Sequence, residues 1–458
     1  MSRIVDTGDI EFEINLINFS GDQILDIKPL LIEFNIYGDI FNTTLKSDFF
    51  IKDSVGIIER FPIVGDEKVI FRYKTAGERK FQTFIFDIYK ITNRAAIEER
   101  SHAYVLECVT RETIINELSI EDRAFVNESI GSIVQKVWTN NFGNLQGKEL
   151  IVEPETQGFH SFIAPKQTPF QFINMLASEA RSPFYPDNTT YVFYEDAFNF
   201  HFTSLGYLFE NVPVDSYYLL DPSVQEVKDN KSDIKKHQTI IDFSFESSFD
   251  TLSGLNNGMY RNNIQTIDTV LKRYQSVDYS YLEKFFDQPH VSFNPTPYLT
   301  DKGTVGNYGK PTHQRFLSSR ITSQEYATES YLNGRISNTN DPHLHSPRTR
   351  QKFLGSAINQ IQNFSQYNIN VVIPGDYYIQ PGYLVNIYLP QNSDVQDDYQ
   401  KYLKLFGQLE PLFLITAVRH SYRADTGKFN TTMNVTKESF GATIKSEYDS
   451  KDQANEVR

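Results

Sequence analysis

His343-Leu344-His345 sets two imidazoles on one face of an extended segment, with Asp341 close by, a spacing that a zinc ion can use. A closed site needs a third and a fourth ligand, and the surrounding sequence offers neither, so the triplet reads as part of a solvated loop. His102, His160, His201, His237, His290, His313 and His420 stand singly. His201 falls in an aromatic hairpin and His420 in a strand, and both read as structural. Glu98-Glu99 and Glu121-Asp122 are the paired carboxylates that sugar hydrolysis would need. Both pairs lie beside turns, where charge is ordinarily solvated. Cys108 is the single cysteine; it lies in the strand-like run 103–110, reads as core packing, and has no helix start nearby to activate a thiolate. One cysteine excludes an internal disulfide framework and fits a reducing compartment. The chain has no Gly-x-Ser-x-Gly, no phosphate loop and no Gly-x-Gly-x-x-Gly after a strand. No catalytic, cofactor-binding or metal-ligating residue is expected, and no enzyme.

The elements that would have to position such groups alternate between two periods. Phe12, Ile14 and Leu16 alternate with Glu11, Glu13 and Asn15, and Leu30, Ile32, Phe34 and Ile36 repeat the pattern. That is the period of a half-buried strand. Turn 61–66 leads to a strand at 68–73, a polar tip at 74–79, and strands at 81–92 and 103–110, so the first 119 residues read as all-β. Then Ile130, Ile133, Val134, Val137 and Trp138 follow the spacing of one helix face, with Asn127 or Ser129 to start it and Gly143 to end it. Thr168-Pro169 with Gln171 marks a second helix start. Tyr191–Tyr194 and Phe198–Phe202 form a hairpin. Pro, Gly, Asn, Ser and Thr dominate 286–346, an extended loop or lid. Leu354, Ala357, Ile358 and Ile361 give a helical face before the strand 369–373.

One β-plan occurs twice. Gly65 opens a turn before the alternating Val69, Phe71 and Tyr73, and that segment closes on Val109-Thr110-Arg111-Glu112. Gly382 opens a turn before Val385, Ile387 and Leu389, and this one closes on Val435-Thr436-Lys437-Glu438. The fold class expected is α+β, mainly β: two similar antiparallel β-barrel (tube) domains with an α+β insert between them. The expected divisions are a first tube-wall barrel at 1–119, the insert at 120–236, the start of a second barrel region at 237–285 and a loop-rich insertion at 286–349. A second barrel at 350–440 and a polar tail at 441–458 complete them. Gly65 and Gly382 are expected at equivalent barrel positions, and the acidic loop 391–400 accounts for much of the second module's extra length.

The 458 residues have room for two to four domains, and 14% aromatic content gives ample capacity for burial. No window reaches the roughly 18 consecutive apolar residues of a membrane span, so no membrane insertion is expected. The first residues lack the apolar region of a signal peptide. A net charge of −14 argues against gripping nucleic acid by counterion release. It does not argue against nucleic acid passing by, since an acidic wall repels phosphate; it also serves solubility alone.

The ordered pieces resemble the baseplate central hub protein of contractile-tailed bacteriophages, the T-even type being familiar, and the related hub part of type VI secretion spike proteins. Residues 61–69 (Phe-Pro-Ile-Val-Gly-Asp-Glu-Lys-Val) are similar to the first barrel's turn and strand; 86–91 and 104–112 are similar to its closing strands. Residues 190–196 and 198–202 resemble the insert's hairpin, and 414–420 the second barrel. The resemblance spans most of 9–285 and 350–440. It implies a homotrimeric structural protein without cofactors, whose two barrels per chain form a pseudo-sixfold ring. That ring would join the sixfold tail tube protein to a trimeric tail spike, contact other baseplate proteins, and pass DNA and the tape-measure protein without specific binding. It implies assembly in the host cytoplasm and residence in the virion tail baseplate. Three copies at −14 each carry −42, compatible with a non-adhesive lumen. Two departures stand out. Segment 286–346 is longer than the family's usual connection, and no spike-like repeat or lysozyme-like domain follows the second barrel, which implies a separate spike polypeptide. The alternative is a hub of a type VI secretion or other contractile injection system. A carbohydrate-binding tail adhesin, suggested by 27 Tyr and a single Trp, and a cell-wall hydrolase are further classes.

Overall fold

The computed structural model describes residues 10–61, 63–75, 81–98, 101–143, 145, 148–153, 155–184, 190–219, 238–247, 250–259, 261–268, 273–292, 319–324, 348–364, 366–389 and 411–439. His343, His345, Asp341, the loop 391–400, the tail from 441, and all of 286–346 except 286–292 and 319–324 lie outside them.

The chain begins with β1 (Ile10–Ile17), β2 (Ile24–Asp26), β3 (Leu31–Asp39), β4 (Lys46–Asp53), helix α1 (Ile57–Arg60), β5 (Lys68–Thr75), β6 (Gln82–Glu98) and β7 (Ser101–Thr110). Alternation puts Phe12, Ile14, Phe34, Phe49, Phe71, Phe86, Tyr104 and Leu106 on one face, where they form a dense aromatic core. The sequence reading of an all-β stretch to residue 119 needs correcting, because Arg111–Leu118 is helix α2. At eight residues, with Ile114, Ile115 and Leu118 as its only apolar side chains, it is too short to impose a helical period.

The insert follows: β8 (Ala124–Glu128), α3 (Ile130–Phe142), β9 (Leu150–Glu153), β10 (His160–Ile163), α4 (Pro169–Ala177), β11 (Tyr191–Glu195), β12 (Phe200–Ser204) and α5 (Leu205–Phe209). Ser129 caps α3, its hydroxyl accepting from the Ser132 amide, and Gln171 accepts from the Thr168 amide at the start of α4. The faces anticipated for both helices pack against β11 and β12; Trp138 is buried between Phe142 and Phe200.

The remainder holds β13 (Asp215–Tyr218), β14 (Asp242–Ser247), α6 (Thr251–Asn256), β15 (Arg261–Asp268), β16 (Arg273–Ser280), α7 (Tyr281–Lys284), β17 (Ser319–Gln324), α8 (Arg348–Phe364), β18 (Tyr367–Pro374), β19 (Leu384–Tyr388), β20 (Leu412–Arg423) and β21 (Lys428–Lys437). Helix α8 forms as its periodicity predicts, but Ile361 is 51% exposed. The buried face is polar: Ser356, Asn359, Gln360 and Asn363, with Asn359 donating to the Met259 carbonyl and Ser356 accepting from Gln288.

Among the described residues thirteen strands share one sheet. Within it a six-strand order occurs twice. The first run is β3-β4-β7-β6-β5-β1 and the second is β14-β18-β21-β20-β19-β13. Ranked by position in the chain, both read second, third, sixth, fifth, fourth, first. They differ at the last pair, where β1 runs antiparallel to β5 and β13 runs parallel to β19. Each run has its own core, and a third apolar cluster (Ile40, Val192, Tyr194, Leu208, Phe364, Leu384, Leu414) ties both to the insert. The fold is mainly β, with a large antiparallel sheet and few helices.

Candidate functional site

Among the described residues, those singled out for chemistry are not brought together; Glu99, His237 and His313 lie outside that set. Cys108 is fully buried, and burial pushes its thiol well up, away from the reactive thiolate. Glu121 is buried and accepts from the Nε and Nη2 edge of the Arg123 guanidinium and from Asn141. Those partners outweigh burial and hold its carboxyl below the usual range. Its neighbour Asp122 is exposed. A general acid needs the opposite shift. Glu98 ends β6 opposite Ser101. His201 Nε2 lies 2.8 Å from Asp196 Oδ2, while Asp196 Oδ1 accepts from the Phe198 and Asn199 amides, so this pair shapes the hairpin turn. His420 is buried against Thr431 Oγ1 at 3.1 Å, and burial lowers it to about 4. Among the described residues no three His, Cys, Asp or Glu side chains cluster as a metal site would require, and no helix is long and apolar enough to cross a membrane.

What the fold does assemble is a seam. β20 is long enough to serve two neighbours along one edge: Leu412–Leu414 pair with β19, and Ala417–Arg423 pair antiparallel with β3. The crossover comes at a bulge on Thr416, whose carbonyl accepts from the Ile40 amide at 2.9 Å. On the core side Tyr422 stacks on Phe34 at 5.5 Å and meets Phe12 edge-on at 4.8 Å. On the other face Arg419 donates to Asn35 (2.9 Å) and Glu33 (3.1 Å). The fifth strand of the second run is thereby stitched to the second strand of the first run.

The counterparts of these two edges carry no strand among the described residues. β6 corresponds to β20. Its Gln82–Asp87 half pairs with β5, and a bulge at Tyr89 follows. Beyond it the edge away from β7 is open, with Tyr89 47% and Ile97 51% exposed. β14 corresponds to β3 and pairs only with β18; Ile241 beside it is 55% and Phe245 47% exposed. Open edges with apolar side chains are sites for strand addition.

A buried ionic knot holds the insert against the first run. Glu195, at the end of β11, accepts from Lys148 Nζ (2.8 Å), Thr110 Oγ1 (2.8 Å) and the Leu45 amide (2.8 Å). Burial pushes its carboxyl up against these partners. Glu112, buried nearby, rises to about 7 through burial and the charge of Glu195. Sequence reasoning missed this knot, because Glu195 lies 85 residues from Thr110 and 150 from Leu45 and no local pattern marks it.

No protein-family model and no curated protein matches the chain. Solved structures do. A tail protein from Neisseria meningitidis MC58 superposes with a TM-score of 0.52 at 10% identity, over 93% of this chain and 97% of that one. The 43 kDa tail protein of prophage MuSo2 from Shewanella oneidensis gives 0.54 at 12% identity, over 93% and 99%. A component of the type VI secretion system from Escherichia coli gives 0.40 at 10%, over 89% and 73%. The first two superpose along nearly their whole length, and the chain shares the fold of these tail proteins.

Proposed function

We propose that this chain is the structural central hub of a contractile phage tail baseplate. Three copies close into a ring, and the two six-strand runs of each copy supply six similar wall segments. Such a ring meets a sixfold tail tube on one side and a threefold spike on the other, with DNA and tape-measure protein passing through its centre. The first tube wall is 1–119; the second takes β13 and β14 as well as 350–440, so the expected boundary of the insert at 236 moves back ahead of β13, and the insert braces the two walls. The protein acts without catalysis, in the virion tail, after assembly in the host cytoplasm.

The observation that supports this reading is the repeated strand order. A threefold object can offer sixfold contacts only if each chain presents the same surface twice, and two runs with identical strand ranking do that. The shared fold with tail proteins fits the same role. Mass measurement followed by negative-stain imaging tests it. The expected result is a trimer that images as a threefold ring with a central hole. A stable monomer at high concentration that never forms a ring with a partner spike overturns it.

A further inference from the structure

The seam inside the chain specifies the seam between chains. We infer that the distal half of β6 in one copy pairs antiparallel with β14 of the next, and that this strand addition closes the ring. The inference rests on the trimeric reading above and adds which strands meet and in what register.

The argument starts from the two closing strands, β7 and β21, used as a common ruler. Ile88 faces Cys108 and Ile415 faces Val435, each pair immediately before the bulge, and all four side chains are buried in their cores. Counting from there, Ala103 and Asn430 occupy the same place. Their partners are Ala95 on β6 and Ser421 on β20, so Ala95 corresponds to Ser421. The same ruler matches Asp48 with Asn370. Their partners are Asn35 on β3 and Ser244 on β14, so Ser244 corresponds to Asn35.

Within the chain Ser421 sits directly across from Asn35. Carried to the open edges, that register sets Ala95 of one copy across from Ser244 of the next. Phe243 and Phe245 then take the places of Phe34 and Ile36, which are buried at the internal seam. Their burial would remove the exposed apolar surface left on β14. In this register Arg94 of one copy falls across from Phe245 of the next. A head-to-tail contact of this kind uses two different surfaces and closes only when the rotation between copies completes a circle. The internal seam already makes half of the turns, so three external seams complete six.

The Ala95–Ser244 pair gives a direct test. The Ala424 amide donates to the Ile32 carbonyl at 2.8 Å, which makes Ser421–Asn35 a non-hydrogen-bonded pair. Cα atoms in such pairs lie about 4.5 Å apart, within disulfide range. Both Ala95 and Ser244 are exposed, so cysteines there leave the cores intact, and buried Cys108 stays out of reach. The experiment is mild oxidation of the full chain carrying Ala95→Cys and Ser244→Cys, read on a non-reducing gel after the mass of the unoxidised protein is measured. Expected are covalent trimers from the double variant, dimers when the two single variants are co-expressed, and monomers from either single variant alone. A native trimer that does not cross-link overturns the seam and leaves the trimeric reading standing. A protein that stays monomeric before oxidation, at high concentration and with a partner spike added, overturns both.

Discussion

At the residue scale the most consequential group is Glu112, part of the buried knot between the insert and the first run. It sits in the first turn of α2, 7% exposed, and burial together with the Glu195 charge lifts its carboxyl to about 7. The folded state therefore holds this proton more tightly than the unfolded chain. Its contribution to stability is fully present below the ordinary carboxyl range near 4.5 and is lost as pH rises through about 7. The difference caps the loss at about 3 kcal/mol. Glu112→Gln should abolish that part of the pH dependence, leaving the variant more stable than the parent at pH 8 and close to it at pH 5. Urea unfolding across this range measures it, and parallel profiles for the two proteins would show the charge of Glu112 to be immaterial. Glu121, from one of the carboxylate pairs that invited a catalytic reading, is shifted the other way. Glu121 is held ionised by Arg123, as a structural anion is.

At the element scale the two turns that open the repeated runs do different jobs. Gly65 and Gly382 both have positive φ, 106° and 86°. They are offset by one position in the ladder: Ile88 bonds to the carbonyl of Glu67, two residues after Gly65, and Ile415 to that of Tyr383, one after Gly382. A Cβ on Gly65 would meet nothing within 4 Å, whereas one on Gly382 would run into the Tyr194 hydroxyl. Gly65→Ala should cost only the backbone term, about 1–2 kcal/mol. Gly382→Ala should cost clearly more, because β11 of the insert must move as well. Thermal unfolding of the two variants compares them, and equal losses would mean that Tyr194 yields freely. The same offset shows which parts of the sequence were legible. Alternation in 10–17, 31–36 and 68–73 marked strands because one face of each is core and the other is not. The Val-Thr-(Arg/Lys)-Glu endings, which hinted at duplication, are out of step by one residue: Cys108 joins the first core and Val435 the second. Helix α8 forms where its period puts it but turns a different face inward, since it buries Asn359, which accepts from Tyr279 of β16 and donates to the Met259 carbonyl, a partnership no hydrophobic period can announce. The chemistry-like residues could be judged from their neighbours in sequence. The seam and the Glu195 knot could not, because their partners arrive from distant strands.

At the scale of the whole molecule, the open edges turn stability into a question of concentration. A chain whose folded state is completed by copies of itself gains stability by mass action, so its unfolding temperature should rise with protein concentration over about a hundredfold range. A monomer with closed edges would show no such rise. Phe245 separates the two cases. In an isolated chain this side chain is 47% exposed on the outermost strand of the sheet, and replacing it by a charge should be neutral or favourable. In a closed ring it takes the place that Ile36 holds at the internal seam, where Ile36 is 3% exposed, and a lysine there would be buried across from Arg94 of the next copy with no anion to pair it. Phe245→Lys should therefore leave the dilute protein as stable as the parent and remove the concentration dependence. The variant should sediment as a monomer while its circular dichroism stays unchanged. A Phe245→Lys protein that still forms trimers and still gains stability with concentration would place the closing contact on another strand. The repeated strand order would then have to build its six segments through some contact other than the one the chain already makes with itself.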